Sequence, residues 1–389
     1  MSIRSRWREF LLGVRPTLDE LRFTAKQVRK SPLSILGLGI IAIFAAIAIF
    51  APILAPPVGK FADPYVIFTD GVATLPKPPG TPVSSPLDHL FGWTVHWFGV
   101  AQGGLDIYYG CIWGTRTAFM IGVLVIAFSL IVGVAFGALA GYYGGVIDEL
   151  LMRFTDIVLA FPGLILAMAL VIALPGGWPI PAGYWGLAIV IFLGLIIAGH
   201  SMRLRGILSL MLGVLGLVAF VIVNTYVLGS PPIFMVTIGL SAVEKIMIAL
   251  ALVGWPGYTR VIRGEILRIK QEDYVEASKA VGCSDFRIIL NHILPNAIYP
   301  ILIMASLDIG GVVLTAAALS FLGIGEPLGY ADWGQMVSLA ESWVGTGRSL
   351  LMYWYVWVIP GVFIFIFVMG WNLLGDAFRD ILDPTLRRR

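Results

Sequence analysis

Charge is scarce in this sequence: Asp, Glu, Lys and Arg make up 13% of its 389 residues. Soluble domains carry about 25%, so a freely soluble fold is disfavoured from the start. Two cysteines, Cys111 and Cys283, are too few for a disulfide framework or a thiolate metal site. The four histidines, His89, His96, His200 and His292, match no metal-ligand spacing, and His89 and His96 are read as structural residues of a loop. A phosphate-binding loop is missing too: Gly59-Lys60 has no Gly five residues before Gly59 and is followed by Phe61. The chain is therefore not expected to hydrolyse a nucleotide, and no cluster of His, Asp or Glu marks a membrane-embedded enzyme.

Apolar sequence fills the space that charge leaves. Hydrophobic residues reach 58%, and the mean hydropathy is +0.90. Uncharged runs cover Ser31 to Gly59, Thr117 to Ile147, Ile157 to Met202, Gly206 to Val243 and Ser349 to Gly375. Each is long enough to cross about 30 Å of hydrocarbon. Repeated runs of this kind predict a bundle of spanning helices.

The basic residues orient the bundle. Arg4, Arg6, Arg8, Arg15, Arg22, Lys26, Arg29 and Lys30 precede the first run, which places residues 1–30 in the cytoplasm as a basic tail. Next to a spanning helix, that tail suits lipid headgroups and not nucleic acid. Leu33 to Leu54 exceeds the roughly 7 to 15 apolar residues of a signal-peptide core, so the first helix is expected to stay as an anchor. Residues 31–389 then form the transmembrane domain. A Pro- and Gly-rich extracellular loop covers 55–114. The next helices are expected at Thr117 to Leu139 and Phe154 to Leu174, with Pro175, Pro179 and Pro181 in an outer turn. Arg203 and Arg205 divide the following apolar stretch into helices at Tyr184 to Met202, Gly206 to Leu228 and Ile233 to Gly254. The last two run from Asn296 to Leu322 and from Tyr353 to Ala377. Eight spans put both termini in the cytoplasm; six also preserve parity if the fourth and fifth form a re-entrant hairpin.

Residues 258–295 are rich in Arg and Lys and are read as cytoplasmic. Within them, Asp273 and Glu276 form a possible capping box. Val275, Ala280 and Val281 make an apolar side, and Gly282 takes the left-handed position that ends the helix. Ser284 is a second candidate cap, for a helix running toward Pro295. Read from these residues alone, the segment is equally a solvated connector.

Glu276-Ala277-Ser278, then Gly282 and Leu294-Pro295, resemble the EAA loop of ABC importer permeases. That pattern is Glu-Ala-Ala, three residues, Gly, nine residues, Ile-x-Leu-Pro; Ser278 and His292 depart from it. Gly141-Tyr142-Tyr143-Gly144-Gly145, Phe161-Pro162, Ser320-Phe321-Leu322-Gly323, Trp333-Gly334 and Asn372-Leu373-Leu374-Gly375-Asp376 extend the resemblance to the dipeptide/oligopeptide permease family. It spans most of the chain outside Pro179 to about Pro232, so 184–228 is read as an extra helix pair. The basic tail and the long outer loop ending at Gly104-Leu105-Asp106 resemble the second of the family's two paired permeases, with Leu105 where that family has Arg.

The resemblance implies an all-α polytopic membrane protein of the cell membrane: a type I ABC importer permease bundle with about eight transmembrane helices and a cytoplasmic coupling helix. Its implied partners are a homologous permease in a heterodimer, two ABC ATPases that hold the ATP and Mg²⁺, and an extracellular substrate-binding protein. The coupling residues are then Asp273, Glu276, Ala277, Ser278, Gly282, Leu294 and Pro295. The implied substrates are peptides, with oligosaccharides as the alternative. Asp156, Glu244 and Lys245 are read as packing residues, and Asp308 as lining the pathway or bonding to a neighbouring helix. An ion-coupled transporter would favour inverted repeats, and none is seen.

Overall fold

The computed structural model describes residues 31–57, 63–71, 75–84, 94–181, 235–341 and 351–382. Two units divide the chain, one made of residues 1–173 and 242–389, the other of 174–241. In the first, α1 spans Pro32–Leu54. Its start is set locally, because the Ser31 hydroxyl accepts from the Ser34 N–H and Pro32 follows the cap.

The helix α2, Ile107–Tyr143, begins ten residues before the expected Thr117. Arg116 does not end it, because the guanidinium lies 5.2 Å from the centre of the Trp113 ring. Asp106 caps it instead, accepting from the Tyr109 N–H at 2.7 Å. The preceding loop therefore ends at Asp106 and not at Gly114. The single helix expected from Phe154 is in fact broken: α3, Gly145–Leu159, and α4, Gly163–Ala173, meet at 90°. Pro162, which has no N–H to donate, lies in the break.

The helix α5 spans Ala242–Ile269 and passes through Pro256. It corrects the expected span Ile233 to Gly254 at both ends and absorbs the first part of the expected cytoplasmic loop. Two ion pairs with α3 make this extension tolerable. Arg260 meets Asp156 at 2.5 Å, and Arg263 holds both oxygens of Asp148 at 2.5 and 2.6 Å. Further on, α6 is Asp273–Ala280, α7 Asp285–Ile288, α8 Leu294–Ala297, α9 Tyr299–Phe321, α10 Trp333–Ser338 and α11 Trp354–Leu382.

In the second unit, β3, Gly177–Pro181, pairs antiparallel with β4, Met235–Gly239, from Gly177 opposite Gly239 to Pro181 opposite Met235. Pro179 and Pro181 thus lie in a strand where a turn was expected. A shorter pair, β1 (Thr81–Pro82) with β2 (Val95–His96), lies in the loop between α1 and α2. The expected helices Tyr184 to Met202 and Gly206 to Leu228 fall outside the described residues. Among those described, four helices are long and apolar enough to cross a membrane, or five if α3 and α4 count as one broken span.

The main seam joins α2 to α5. A Cβ on Gly133 would stand 2.5 Å from the Tyr258 Cβ and 2.9 Å from the Trp255 carbonyl oxygen. One on Gly137 would stand 2.7 Å from the Thr259 carbonyl oxygen, and one on Gly141 3.0 Å from that of Arg263. At one end of the stripe Ser129 faces Gly254, where a Cβ would lie 2.8 Å from its hydroxyl oxygen. Small residues four apart let the two backbones touch, as apolar solvent demands of a helix pair without a hydrophobic driving force. Around the rest of the bundle, aromatic edges close the core: Phe367 lies 5.5 Å from Phe44, 5.1 Å from Phe119 and 5.7 Å from Trp333. The indole of Trp333 also donates to the Cys111 carbonyl at 3.1 Å, tying α10 to α2.

This seam makes a direct prediction. Gly137→Val should destabilise the chain by about 1–3 kcal/mol through overpacking, whereas Gly264→Ala, with nothing within 4 Å of its added carbon, should not. Thermal midpoints of the two variants in detergent, followed by fluorescence-detected size exclusion, check it; equal midpoints refute the seam.

Candidate coupling site

The short helices after α5 form one compact loop. α6 starts after Glu272, whose backbone is extended and whose side chain makes no cap bond. This corrects the expected capping box: Asp273 is the first helical residue, which shifts Glu276 out of register with it. Both acids still occupy the first turn, where the helix dipole favours negative charge. Ser278 folds its hydroxyl back onto the Tyr274 carbonyl at 2.8 Å.

The end of α6 follows the expectation closely. Gly282 adopts φ +84°. Its N–H donates to the Lys279 carbonyl at 2.9 Å, and the Cys283 N–H donates to the Ser278 carbonyl at 3.1 Å. These two bonds define a Schellman stop, and a β-branched residue at Gly282 would be strained. Ser284 has the backbone of a cap for α7 but makes no side-chain bond. α7 then widens into a π-helical turn over Ile289–Ile293, where the Leu294 N–H reaches the Ile289 carbonyl. Pro295 explains the widening, because it cannot donate and its ring crowds the turn before it.

Burial separates two faces of this loop. Val275, Ile288 and Ile293 are fully enclosed and anchor it to the bundle. Val281 and Phe286 are 84% and 72% exposed. Ala280 is exposed as well, so of the expected apolar side only Val275 faces inward. Asp273, Glu276, Ala277, Gly282 and Pro295 are exposed, and Ser278 and Leu294 half-buried. Asp308 lies apart from them on α9, half-buried, and accepts from the Tyr258 hydroxyl of α5 at 2.7 Å.

Four residues to which the sequence reading assigned no role lock the loop to the bundle. Tyr142, one residue before the end of α2, donates its hydroxyl to Asp285 at 2.6 Å. Lys270 donates to the Tyr142 carbonyl at 2.5 Å. The ammonium groups of Lys270 and Lys279 each lie 5.5 Å from the centre of its ring. The Gly-Tyr-Tyr-Gly-Gly pattern marked this place, but no local rule links Tyr142 to a residue 143 positions later.

Residues 133–388 match the family described as binding-protein-dependent transport system inner membrane component. The chain belongs to this family. It is therefore a transmembrane permease subunit of an ABC importer, with the all-α bundle of that class. Residues 22–67 also match the N-terminal TM domain of oligopeptide transport permease C. Among similar proteins, the dipeptide transport system permease DppC of Alkalihalophilus pseudofirmus is 30% identical over 363 residues, covering 93% of this chain and 89% of the relative. The oligopeptide transport system permease OppC of Bacillus subtilis is 29% identical, covering 92% and 88%. The probable D,D-dipeptide permease DdpC of Escherichia coli is 30% identical, covering 96% and 95%.

At the other end of α2, the permease buries a charged cluster. His96 Nδ1 lies 2.6 Å from Asp106 and Nε2 3.1 Å from Asp70, with Lys77 3.8 Å from Asp70. The Ser84 N–H also donates to Asp70. Burial works against the imidazolium, but the hydrogen bonds to Asp106 and Asp70 outweigh it and raise the His96 pKa above its usual 6.5. Burial likewise works against the Asp70 carboxylate, and the hydrogen bonds from His96 and Ser84 overcome it, lowering its pKa. His96 thus clasps two strands of the loop to the cap of α2. His89 and His200 lie outside the described residues, and His292 is half-buried in the π turn.

The raised His96 pKa gives stability that is complete below 6.5 and lost as pH rises through the folded value. The lowered Asp70 pKa gives stability present above its usual 3.8 and lost as pH falls through its folded value. The clasp is therefore tightest between these limits. The protection factors of residues 94–106, exchange rates normalised to the intrinsic amide rate at each pH, should fall about tenfold or more between pH 6 and 9, as expected for charged hydrogen bonds. In His96→Gln the protection should already be low at pH 6; identical normalised profiles for the two proteins refute the assignment.

Proposed function

We propose that the loop of α6 to α8 is the contact through which a cytoplasmic ABC ATPase drives this permease, with Asp273, Glu276, Ala277, Ser278, Gly282, Leu294 and Pro295 as its framework. One observation carries the reading: a loop whose first helix is stopped by a Schellman motif presents Val281 at that stop and Phe286 on α7 to solvent, while Val275, Ile288 and Ile293 root it in the bundle. Short helices joined by a tight turn with exposed apolar side chains at Val281 and Phe286 are suited to a groove on a partner. Closure of two ATPases would then rock the bundle between inward- and outward-facing states.

On this reading the complex contains this subunit, a homologous permease as its heterodimer partner, two ABC ATPases that bind ATP and Mg²⁺, and an extracellular binding protein. Both termini face the cytoplasm, and hydrolysis belongs to the ATPases. Peptides are the substrate class, supported by the names of the relatives, which span dipeptide, D,D-dipeptide and oligopeptide permeases.

Two variants test this in vesicles holding the whole complex, with radiolabelled tetra-alanine as probe. Gly282→Val should insert normally yet lower ATPase capture and transport by at least about tenfold, because its backbone cannot keep the left-handed stop. Glu276→Ala, which removes one first-turn charge worth about 0.3–1 kcal/mol, should be intermediate. Wild-type transport by Gly282→Val refutes the coupling role. Asp308, whose bond to Tyr258 ties α9 to α5, is proposed to line the pathway as well. Asp308→Asn keeps an acceptor for Tyr258, so it should assemble while transporting more slowly; failure to assemble places it in packing alone.

A further inference from the structure

Between α2 and α3 the chain turns at a pair of glycines. Gly144 and Gly145 both lie in the left-handed region, at φ +68° and +55°, with nothing within 4 Å of an added side chain at either. Glycine takes that backbone at no steric cost. The last turn of α2 is held by Tyr142. Its hydroxyl reaches Asp285 at the start of α7, and its ring takes the ammonium groups of Lys270, just after α5, and Lys279, on α6. The residue is 5% exposed, so the ring is enclosed by the groups that grip it. The ionised acceptor makes this part-buried hydroxyl-to-carboxylate bond short and directional, although Asp285 itself is exposed.

From this grip α2 runs unbroken for 37 residues to Asp106, a rod of about 55 Å at 1.5 Å per residue. Its far end holds the His96 cluster through the same Asp106 that caps it. A displacement of α6 and α7 therefore acts on α2 at Tyr142, and a rigid helix delivers it to the loop between α1 and α2.

We infer that Tyr142 is a positioning residue that transmits movement of the coupling loop to α2, through its bond to Asp285 and its two flanking lysines. The inference rests on the coupling reading above and adds the route by which the motion enters the bundle. Tyr142 touches neither substrate nor nucleotide, so its loss should separate hydrolysis from transport.

Vesicles containing the whole complex, with radiolabelled tetra-alanine as probe, test this through the peptide moved per ATP hydrolysed. Tyr142→Phe keeps the ring and its cations and removes only the bond to Asp285. It should capture the ATPases as wild type does, hydrolyse ATP at a similar rate, and move about fivefold less peptide per ATP or lower still. Asp285→Asn, whose amide oxygen still accepts from the phenol, should retain the wild-type ratio. Asp285→Ala should match Tyr142→Phe, and the double variant should be no worse than either. A wild-type ratio in Tyr142→Phe, additive losses in the double variant, or loss of ATPase capture by Tyr142→Phe each overturns the proposal. Gly282→Val in the same assay separates the two claims. If it loses capture while Tyr142→Phe stays coupled, only the tyrosine route is wrong; if both behave as wild type, the coupling reading is wrong as well.

Discussion

Where α2 crosses α5, backbone meets backbone, and the positions of the other helices follow from that approach. Gly133, Gly137 and Gly141 face Tyr258, Thr259 and Arg263 with no room for a side chain between. Inside a bilayer there is no water to expel, so affinity between helices must come from dispersion at short range, and only small residues permit that range. The seam also sets the register of charge. With α5 fixed on α2, Arg260 and Arg263 come opposite Asp156 and Asp148 on α3. The Asp148 pair is bidentate and half-buried, the geometry in which an ion pair contributes most to orientation. The Asp156 pair is exposed on both sides, so its contribution to stability is small.

The same helix pair delivers the loop of α6 to α8 to its place. α5 ends at Ile269 beside the last turn of α2, so Lys270 finds the Tyr142 carbonyl and ring within reach. Val275, Ile288 and Ile293 then enter the core, and the remaining loop surface is left to face outward. The coupling role proposed for this loop needs such a division between a rooted side and a free side. It also needs local stiffness, which the Schellman stop supplies without any side-chain cap.

Much of this was legible in the linear sequence, for reasons that can be named. Apolar runs marked α1 and α11 because a span needs length and absence of charge, both one-dimensional properties. Gly282 was legible because a left-handed helix stop is a local backbone requirement. The helix ends that were misplaced have both local and long-range causes. Arg116 lies inside α2 and not ahead of it, because Trp113 receives its charge. α5 continues past Gly254 because α3 neutralises its arginines. The capping box failed by one residue, since Asp273 entered the helix that it was expected to precede.

Composition and charge asymmetry by themselves marked a membrane-embedded helical bundle, and the pattern from Glu276 to Pro295 carried the resemblance to the EAA loop of importer permeases. Each depends on distances along the chain. Tertiary structure alone decided that Tyr142 meets Asp285, that His96 lies between Asp70 and Asp106, and that Asp308 bonds to Tyr258. Those contacts join residues 10 to 143 positions apart. They exist only because a glycine stripe and a few buried side chains bring separate elements within hydrogen-bond reach, where direction and desolvation give a polar pair its strength.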